Sequence, residues 1–198
     1  MSGSNIKNVD DQSLKSYIRE TKEKIVSLIN KYSDINNKKI EFTENTKELK
    51  DKAFQLKKIY KYAEWVNRKI EMNDSVQERI STIPKRGEIW TCELGQNIGS
   101  EENKVRPVII VQNNTGNEKG PTTIIVPISN RPKKIKVHIQ LRDSDYKLVE
   151  GEAQKVTGTI LCEQIKVVSK ARLGRHIATL DQNFMNLLDN KLKNSLDL

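Results

Sequence analysis

Arg106 closes a polar loop, and Pro107-Val-Ile-Ile-Val111 follows it as an apolar run. A proline biases the residue before it towards extended backbone. The guanidinium is therefore expected at the mouth of a strand, better held than on a mobile loop. Its planar fork of donors matches phosphate oxygens, and a preorganised cation suits an anion that gains charge as it reacts. Ser100 and Glu101 put a hydroxyl and a carboxylate in the loop just upstream, and the later run Thr122–Ser129 ends in a second alcohol. The next stretch, Asn130-Arg131-Pro132-Lys133-Lys134-Ile135-Lys136, carries four cations in seven residues. Such a stretch can track a phosphate backbone, and it serves equally as a soluble face. Arg86 and Lys104 add positive charge nearby in sequence. By residue type alone, Arg106 also fits a surface ion pair, Ser129 a strand-end serine bonding its own backbone, and Glu101 a solvated carboxylate.

Other chemistries have less to work with. His138 and His176 are the only two histidines, His138 falls on the polar side of an alternating run, and the two do not suggest a matched acid and base. Cys92 and Cys162 are expected to be buried, reduced thiols. Their spacing to the histidines suits no zinc site, so neither metal nor cofactor is expected. The formal net charge of +9 favours an anionic partner, nucleic acid or acidic lipid. The excess is spread, +4 in residues 1–80 and +5 in the remainder, so it does not mark one half as a nucleic-acid arm. No apolar run approaches the roughly 20 residues that cross a bilayer. The first residues lack the apolar stretch of a secretory signal. A cytoplasmic protein without membrane contact is expected.

Two different periods divide the elements that must hold these residues. Residues 1–80 contain one glycine, Gly3, and no proline, whereas residues 81–198 contain all five prolines. Leu14, Ile18, Ile25, Leu28, Ile29 and Tyr32 recur at helical spacing and predict a helix from about Asp11 to Tyr32. Residues 33–45 read as a polar connector. Leu49, Ala53, Leu56, Tyr60, Ala63 and Ile70 form a heptad-like stripe, with Asn45 as its N-cap. The pair predicts a helical hairpin over 1–80. Ser75 through Glu78 resembles a further capping box. Beyond residue 81, strands are expected over Glu88–Leu94, Val105–Gln112, Thr122–Ser129, Lys134–Leu141, Glu152–Val156, Thr159–Glu163 and Gln164–Val168. Asn113–Gly120 reads as a turn, and Pro127 suggests an edge or bulge. A last helix opens at Asp181 and carries Phe184, Leu187, Leu188 and Leu192 on one side. Many short strands with a closing helix predict an α+β chain: a helical hairpin, then a small barrel with a C-terminal helix.

The blocks PKRGEIWTCELG, GSEENKVRPVIIVQNN, PTTIIVPISN and TGTILCEQIKVVSKARL resemble, in order and spacing, the MazF/PemK toxin family. The resemblance runs into DQNFMNLLDNKL and covers about 115 residues from Pro84 onward; residues 1–80 lie outside it. It implies an SH3-like β-barrel of the CcdB/MazF type over residues 81–198, a homodimer, and metal-independent cleavage of single-stranded RNA. It implies control by a cognate antitoxin, with DNA bound in the antitoxin's company. By motif, Arg106 corresponds to the family's catalytic arginine. Ser129 stands where the family has threonine, keeping the hydroxyl but losing the methyl group that stiffens it. Ser100 and Glu101 match the family's loop, Ser100 as a phosphate contact and Glu101 as a partner of Arg106 or a proton acceptor. Arg86, Lys104, Asn130, Arg131, Lys133, Lys134 and Lys136 are the expected RNA contacts. Gln164 matches a family position and reads as structural. A non-catalytic gyrase poison or nucleic-acid-binding module on the same fold is the alternative. For the hairpin three roles stay open: extending the dimer, covering the RNA groove, or recruiting a partner.

Overall fold

In a computed structural model, residues 10–40, 45–79, 81–130 and 135–198 are described. The chain divides into two compact units, Met1–Lys61 and Tyr62–Leu198, and the division falls inside a helix rather than near residue 80.

Helix α1 spans Asp11–Ile40 and α2 spans Thr46–Asp74. The carboxylate of Asp10 accepts the backbone N–H groups of Gln12 and Ser13 at 3.1 and 3.0 Å. Together with the Ser13 hydroxyl, these bonds hold its pKa below the usual carboxylate value. Asn45 caps α2 as expected, its side-chain oxygen accepting from Lys47 and Glu48 at 3.0 and 3.3 Å. The connector expected over 33–45 is helical as far as Ile40. Within the first unit the apolar stripes stay largely outside any core: Ile18, Ile25, Leu28 and Tyr60 are all more than half exposed. Ser75 stands directly ahead of a short helix, as its sequence pattern suggests. Its hydroxyl donates to the Glu71 carbonyl at 2.8 Å, closing α2 ahead of the four-residue helix α3, Val76–Arg79.

Among its described residues the second unit has eight strands: β1 Glu88–Gly95, β2 Lys104–Ile110, β3 Thr122–Ser129, β4 Ile139–Leu141, β5 Tyr146–Leu148, β6 Gly158–Ile160, β7 Lys166–Ser169 and β8 Leu173–Leu180. They form one curled antiparallel sheet in the order β4-β6-β3-β2-β1-β8-β5, with β7 also on β3. Strands β1 to β3 are buried on both faces. Ile89, Ile109, Val126 and Ile128 face one apolar cluster; Cys92, Val108, Ile110 and Ile125 face another. This explains the unbroken apolar runs, which differ from the alternation of a half-solvated strand. Each fully buried isoleucine contributes roughly 1.5–3 kcal/mol. Burial also pushes the Cys92 thiol up to about 12 and the Cys162 thiol up to about 11; both cysteines are free and buried.

Several expectations are corrected. Pro127 is not on an edge: it faces Val108 of β2. Its missing N–H falls where β3 changes partner, from β7 at Thr122–Ile125 to β6 at Ile128 and Ser129. Asn113 caps a short helix, α4 Asn114–Lys119, in place of a simple turn. The strand expected over 134–141 shrinks to β4, because Ile135 and His138 close a turn through a 3.0 Å backbone bond. No strand forms over 152–156. Strands β5 and β8 were not expected. Helix α5, Gln182–Leu196, starts at Asp181, whose carboxylate accepts the Phe184 N–H at 2.7 Å. Phe184, Met185, Leu188 and Leu192 are buried, whereas Leu187 is exposed.

Candidate active site

Strands β2 and β3 pair with Val108 opposite Pro127, Ile109 opposite Val126 and Ile110 opposite Ile125. Carried two residues further, that register sets Arg106 opposite Ser129. The ladder has opened by then, since Ser129 already pairs with Thr159 of β6. A carboxylate, that of Glu102, fills the gap. Its Oε1 accepts the Ser129 hydroxyl at 2.8 Å, and its Oε2 lies 3.1 Å from Arg106 Nε. Arg106 Nε also donates to the Asn103 carbonyl at 3.0 Å. Glu102 is 7% exposed and Ser129 2%. A carboxylate so withdrawn from water needs its cation and hydroxyl; removing one partner of such a pair costs about 3–5 kcal/mol.

The loop between β1 and β2 is built to hold Glu102. Gln164 accepts the Glu102 N–H at 2.7 Å and donates to the Ser100 carbonyl at 3.2 Å. Asn97 donates to the Glu102 carbonyl at 2.6 Å. Both backbone groups of Glu102 are therefore tied to side chains. Ser129 is held from the other side by Gly158, at φ +135°, where a Cβ would lie 2.7 Å from the Ser129 carbonyl oxygen. Glycine is the residue that permits this approach of β6 to β3.

Both bonds described for Arg106 use Nε, so its two Nη nitrogens are left for an anion. Arg106 lines a groove of about 240 Å³ together with Asn130, Lys155, Thr157 and Arg175. Lys155 pairs with Asp143, and Arg175 with Glu152 at 3.2 Å. The groove thus has one guanidinium with its fork open, flanked by cations already tethered.

The structure brings some of the expected residues together and leaves others apart. Arg106 and Ser129 meet through Glu102, and Asn130 lines the groove, with its Oδ1 accepting from Thr157 at 3.4 Å. Ser100 and Glu101 are exposed on the loop, and the carboxylate that meets Arg106 is that of Glu102. Lys104 is exposed, with a left-handed backbone at φ 67°. Arg86 is paired with Asp189 of α5. Lys136 is exposed, and its carbonyl accepts from Lys191 at 3.1 Å. Arg131, Lys133 and Lys134 lie outside the described residues. His138 is not on a solvated face: its side chain is 4% exposed, 2.8 Å from Glu163. His176 stacks on Trp90 at 5.2 Å. Among the described residues no three His, Cys, Asp or Glu side chains gather as a ligand set, and no described helix is long and apolar enough to cross a membrane. Glu102 is the residue that the sequence reading missed. Its four-residue spacing to Arg106 was the available signal, obscured by the adjacent Glu101.

Residues 85–196 match the family described as PemK-like, MazF-like toxin of type II toxin-antitoxin system. Over 116 residues the chain is 35% identical to the endoribonuclease MazF of Staphylococcus saprophyticus, a stretch covering 58% of this chain and 92% of that protein. Among solved structures, the crystal structure of MazF from Deinococcus radiodurans is similar with a TM-score of 0.49 and 16% identity, over 60% of this chain and 100% of that one. An endoribonuclease in complex with its cognate antitoxin, from Mycobacterial species, is similar with a TM-score of 0.48 and 23% identity, over 58% and 96%.

Proposed function

Because the chain belongs to the PemK-like, MazF-like toxin family of type II toxin-antitoxin systems, we propose that it is a sequence-selective endoribonuclease acting on single-stranded RNA in the cytoplasm, as a homodimer, under the control of a cognate antitoxin. The observation that carries this reading is Arg106, held by Nε against Glu102 and Asn103 with its Nη fork towards a groove. In the reaction the ribose 2′-oxygen attacks the adjacent phosphorus, its proton leaves, and the bond to the 5′-oxygen breaks. The 5′-oxygen takes up a proton. The products are a 2′,3′-cyclic phosphate and a 5′-hydroxyl. The crowded phosphorus gains negative charge along this path, and the fixed guanidinium meets it without reorganisation. No metal is required for that step.

The two acidic residues of the loop divide the work. Glu102 orients Arg106 and is itself held by Ser129, so the strand-tip hydroxyl acts first through the carboxylate. Glu101, exposed on the same loop, is left with the proton of the 2′-hydroxyl. Asn130, which lines the same groove, meets the RNA backbone beside the cut.

The test is cleavage of a mixed RNA in EDTA by the full chain. Arg106→Lys keeps a charge beside Glu102 but loses the fork, and the expected loss is about 100-fold or more in kcat. A substrate with a 2′-deoxy nucleotide at the cut position is expected to survive, because it lacks the nucleophile. Equal cleavage by Arg106→Lys, or normal cleavage of the deoxy substrate, overturns the reading.

A further inference from the structure

The family match begins at residue 85, yet the unit that contains the barrel begins at Tyr62. The last turns of α2 are what it adds. Trp65 lies flat against Gly95 at the end of β1: a Cβ on Gly95 would fall 2.1 Å from the indole, and Gly95 has φ +87°. The Arg172 guanidinium also sits over the Trp65 ring, 5.2 Å from its centroid. That same guanidinium donates to the carbonyls of Glu93 and Leu94 at 3.2 Å each. Arg68 Nε reaches the Glu93 carboxylate at 3.3 Å, and Met72 is 4% exposed. The contact is built on both partners, since a residue with a side chain at position 95 would leave the indole no room.

This contact leads into the active site. The Tyr62 hydroxyl donates to the Asn97 carbonyl at 3.2 Å. Asn97 in turn donates from its side chain to the Glu102 carbonyl at 2.6 Å and to the Leu94 carbonyl at 3.4 Å. Asn97 is thus gripped at its backbone by α2 and grips the backbone of Glu102. Glu102 then sets Arg106 Nε. We propose that Tyr62 and Trp65 are positioning residues of the nuclease: this chain braces its Arg106-orienting loop with a helix lying outside the domain that its family shares. The proposal rests on the nuclease reading of Arg106 for its kinetic consequence, and on geometry alone for the bracing of the loop.

The bracing has a specific kinetic signature. RNA affinity arises largely from phosphate contacts spread along the strand, which the brace does not touch. Orientation of Arg106 matters when charge develops at phosphorus. Loss of the brace therefore lowers kcat while KM stays near its wild-type value.

The experiment compares full-length wild type, Tyr62→Phe, Trp65→Phe, Asn97→Ala and the Tyr62→Phe/Asn97→Ala double variant. Cleavage kinetics are measured in EDTA, with hydrogen exchange of residues 96–103 read in parallel. Tyr62→Phe keeps the ring and removes one hydrogen bond, so the fold stays intact. The expected result is a kcat roughly 3- to 10-fold lower, an unchanged KM and melting temperature, and faster exchange of the loop. In the Asn97→Ala background, Tyr62→Phe is expected to cost nothing further. Unchanged loop exchange and unchanged kcat in both Tyr62→Phe and Trp65→Phe overturn the brace. If wild type cleaves no RNA while both variants still quicken loop exchange, the brace stands and the nuclease reading falls.

Discussion

At the scale of single residues, the site rests on one buried carboxylate with two different partners. Glu102 and Glu101 are neighbours in sequence but not in environment, one 7% exposed against Arg106 and Ser129, the other on the loop surface. Their amide variants are expected to fail differently. Glu102→Gln presents an N–H₂ group to Arg106 Nε and removes the charge that holds it, so kcat falls about 10-fold or more across the whole pH range. Glu101→Gln removes a proton acceptor from the surface and is expected to lower kcat at unchanged stability, whereas Glu102→Gln also lowers stability because it breaks a buried pair. Equal losses of kcat and of stability in the two variants would refute the division of roles. Gly158 offers a third handle. An added Cβ meets the Ser129 carbonyl at 2.7 Å and the Asn130 Oδ1 at 2.8 Å, so Gly158→Ala must push the tip of β3. We expect lost activity with RNA binding retained, measured by cleavage and by filter binding. The buried thiols add a pH dependence. Folding raises the Cys92 pKa from 9.0 to about 12, so the folded state keeps a proton that the unfolded state loses. Stability is then undiminished below about pH 9 and falls as pH climbs from there towards 12. Urea midpoints at pH 8 and pH 10.5 will show the loss, and Cys92→Ala should reduce its pH dependence, whatever it costs in packing.

At the scale of elements, legibility in the sequence followed burial. Strands β2 and β3 stood out because both faces of their central runs are apolar, and α5 because Asp181 caps a helix with one buried side. The N-cap has a measurable weight: Asp181→Ala should lower stability by about 1 kcal/mol, seen as a shifted urea midpoint with an unchanged slope. Strand β8, Leu173-Gly-Arg-His-Ile-Ala-Thr-Leu180, hid because its first half is solvated and carries Arg175 and His176. Pairing on both sides, with β1 at Glu88 opposite Thr179 and with β5 at Tyr146 opposite Leu180, makes it a strand. The three-residue β5 hid through length. In the other direction, the alternating run ending in β4 overstated itself: Ile135 is 45% exposed, and His138 turns inward to Glu163. Periodicity reports which positions could share a face, not which face finds a partner. The active site shows the same limit. Arg106 and Ser129 were readable as strand ends, but the choice between Glu101 and Glu102 depends on which carboxylate the opened β2–β3 ladder admits. Gln164, 62 residues beyond Glu102 in the chain, joins it only through the fold.

At the scale of the whole molecule, the proposed brace puts the boundary that matters for activity within α2, ahead of the start of the family match. The compact unit that holds the barrel starts at Tyr62, and Tyr62, Trp65, Arg68 and Met72 all contact or bury within it. The first unit exposes its apolar stripes and is not needed for any bond described around Glu102. Two truncations of neighbouring length should therefore behave unlike each other. Removing residues 1–61 takes away none of the bonds that tie Asn97 to Glu102, so kcat on a short RNA is expected within about twofold of the full chain. Removing residues 1–80 deletes Trp65 from the face of Gly95 and bares the Arg172 guanidinium. Trp65 is part-buried, so losing its packing should lower the melting temperature together with kcat. The charge carried by the two pieces separates a bracing effect from an electrostatic one. Residues 1–80 hold an excess of +4, so if the N-terminal segment acted by attracting RNA, the shorter truncation would already raise KM and weaken its dependence on salt. A KM and salt slope unchanged by loss of residues 1–61, followed by a fall in kcat on loss of residues 62–80, is the pattern a brace produces. A fall in kcat complete at the first cut would place the control of this site in the helices before Tyr62.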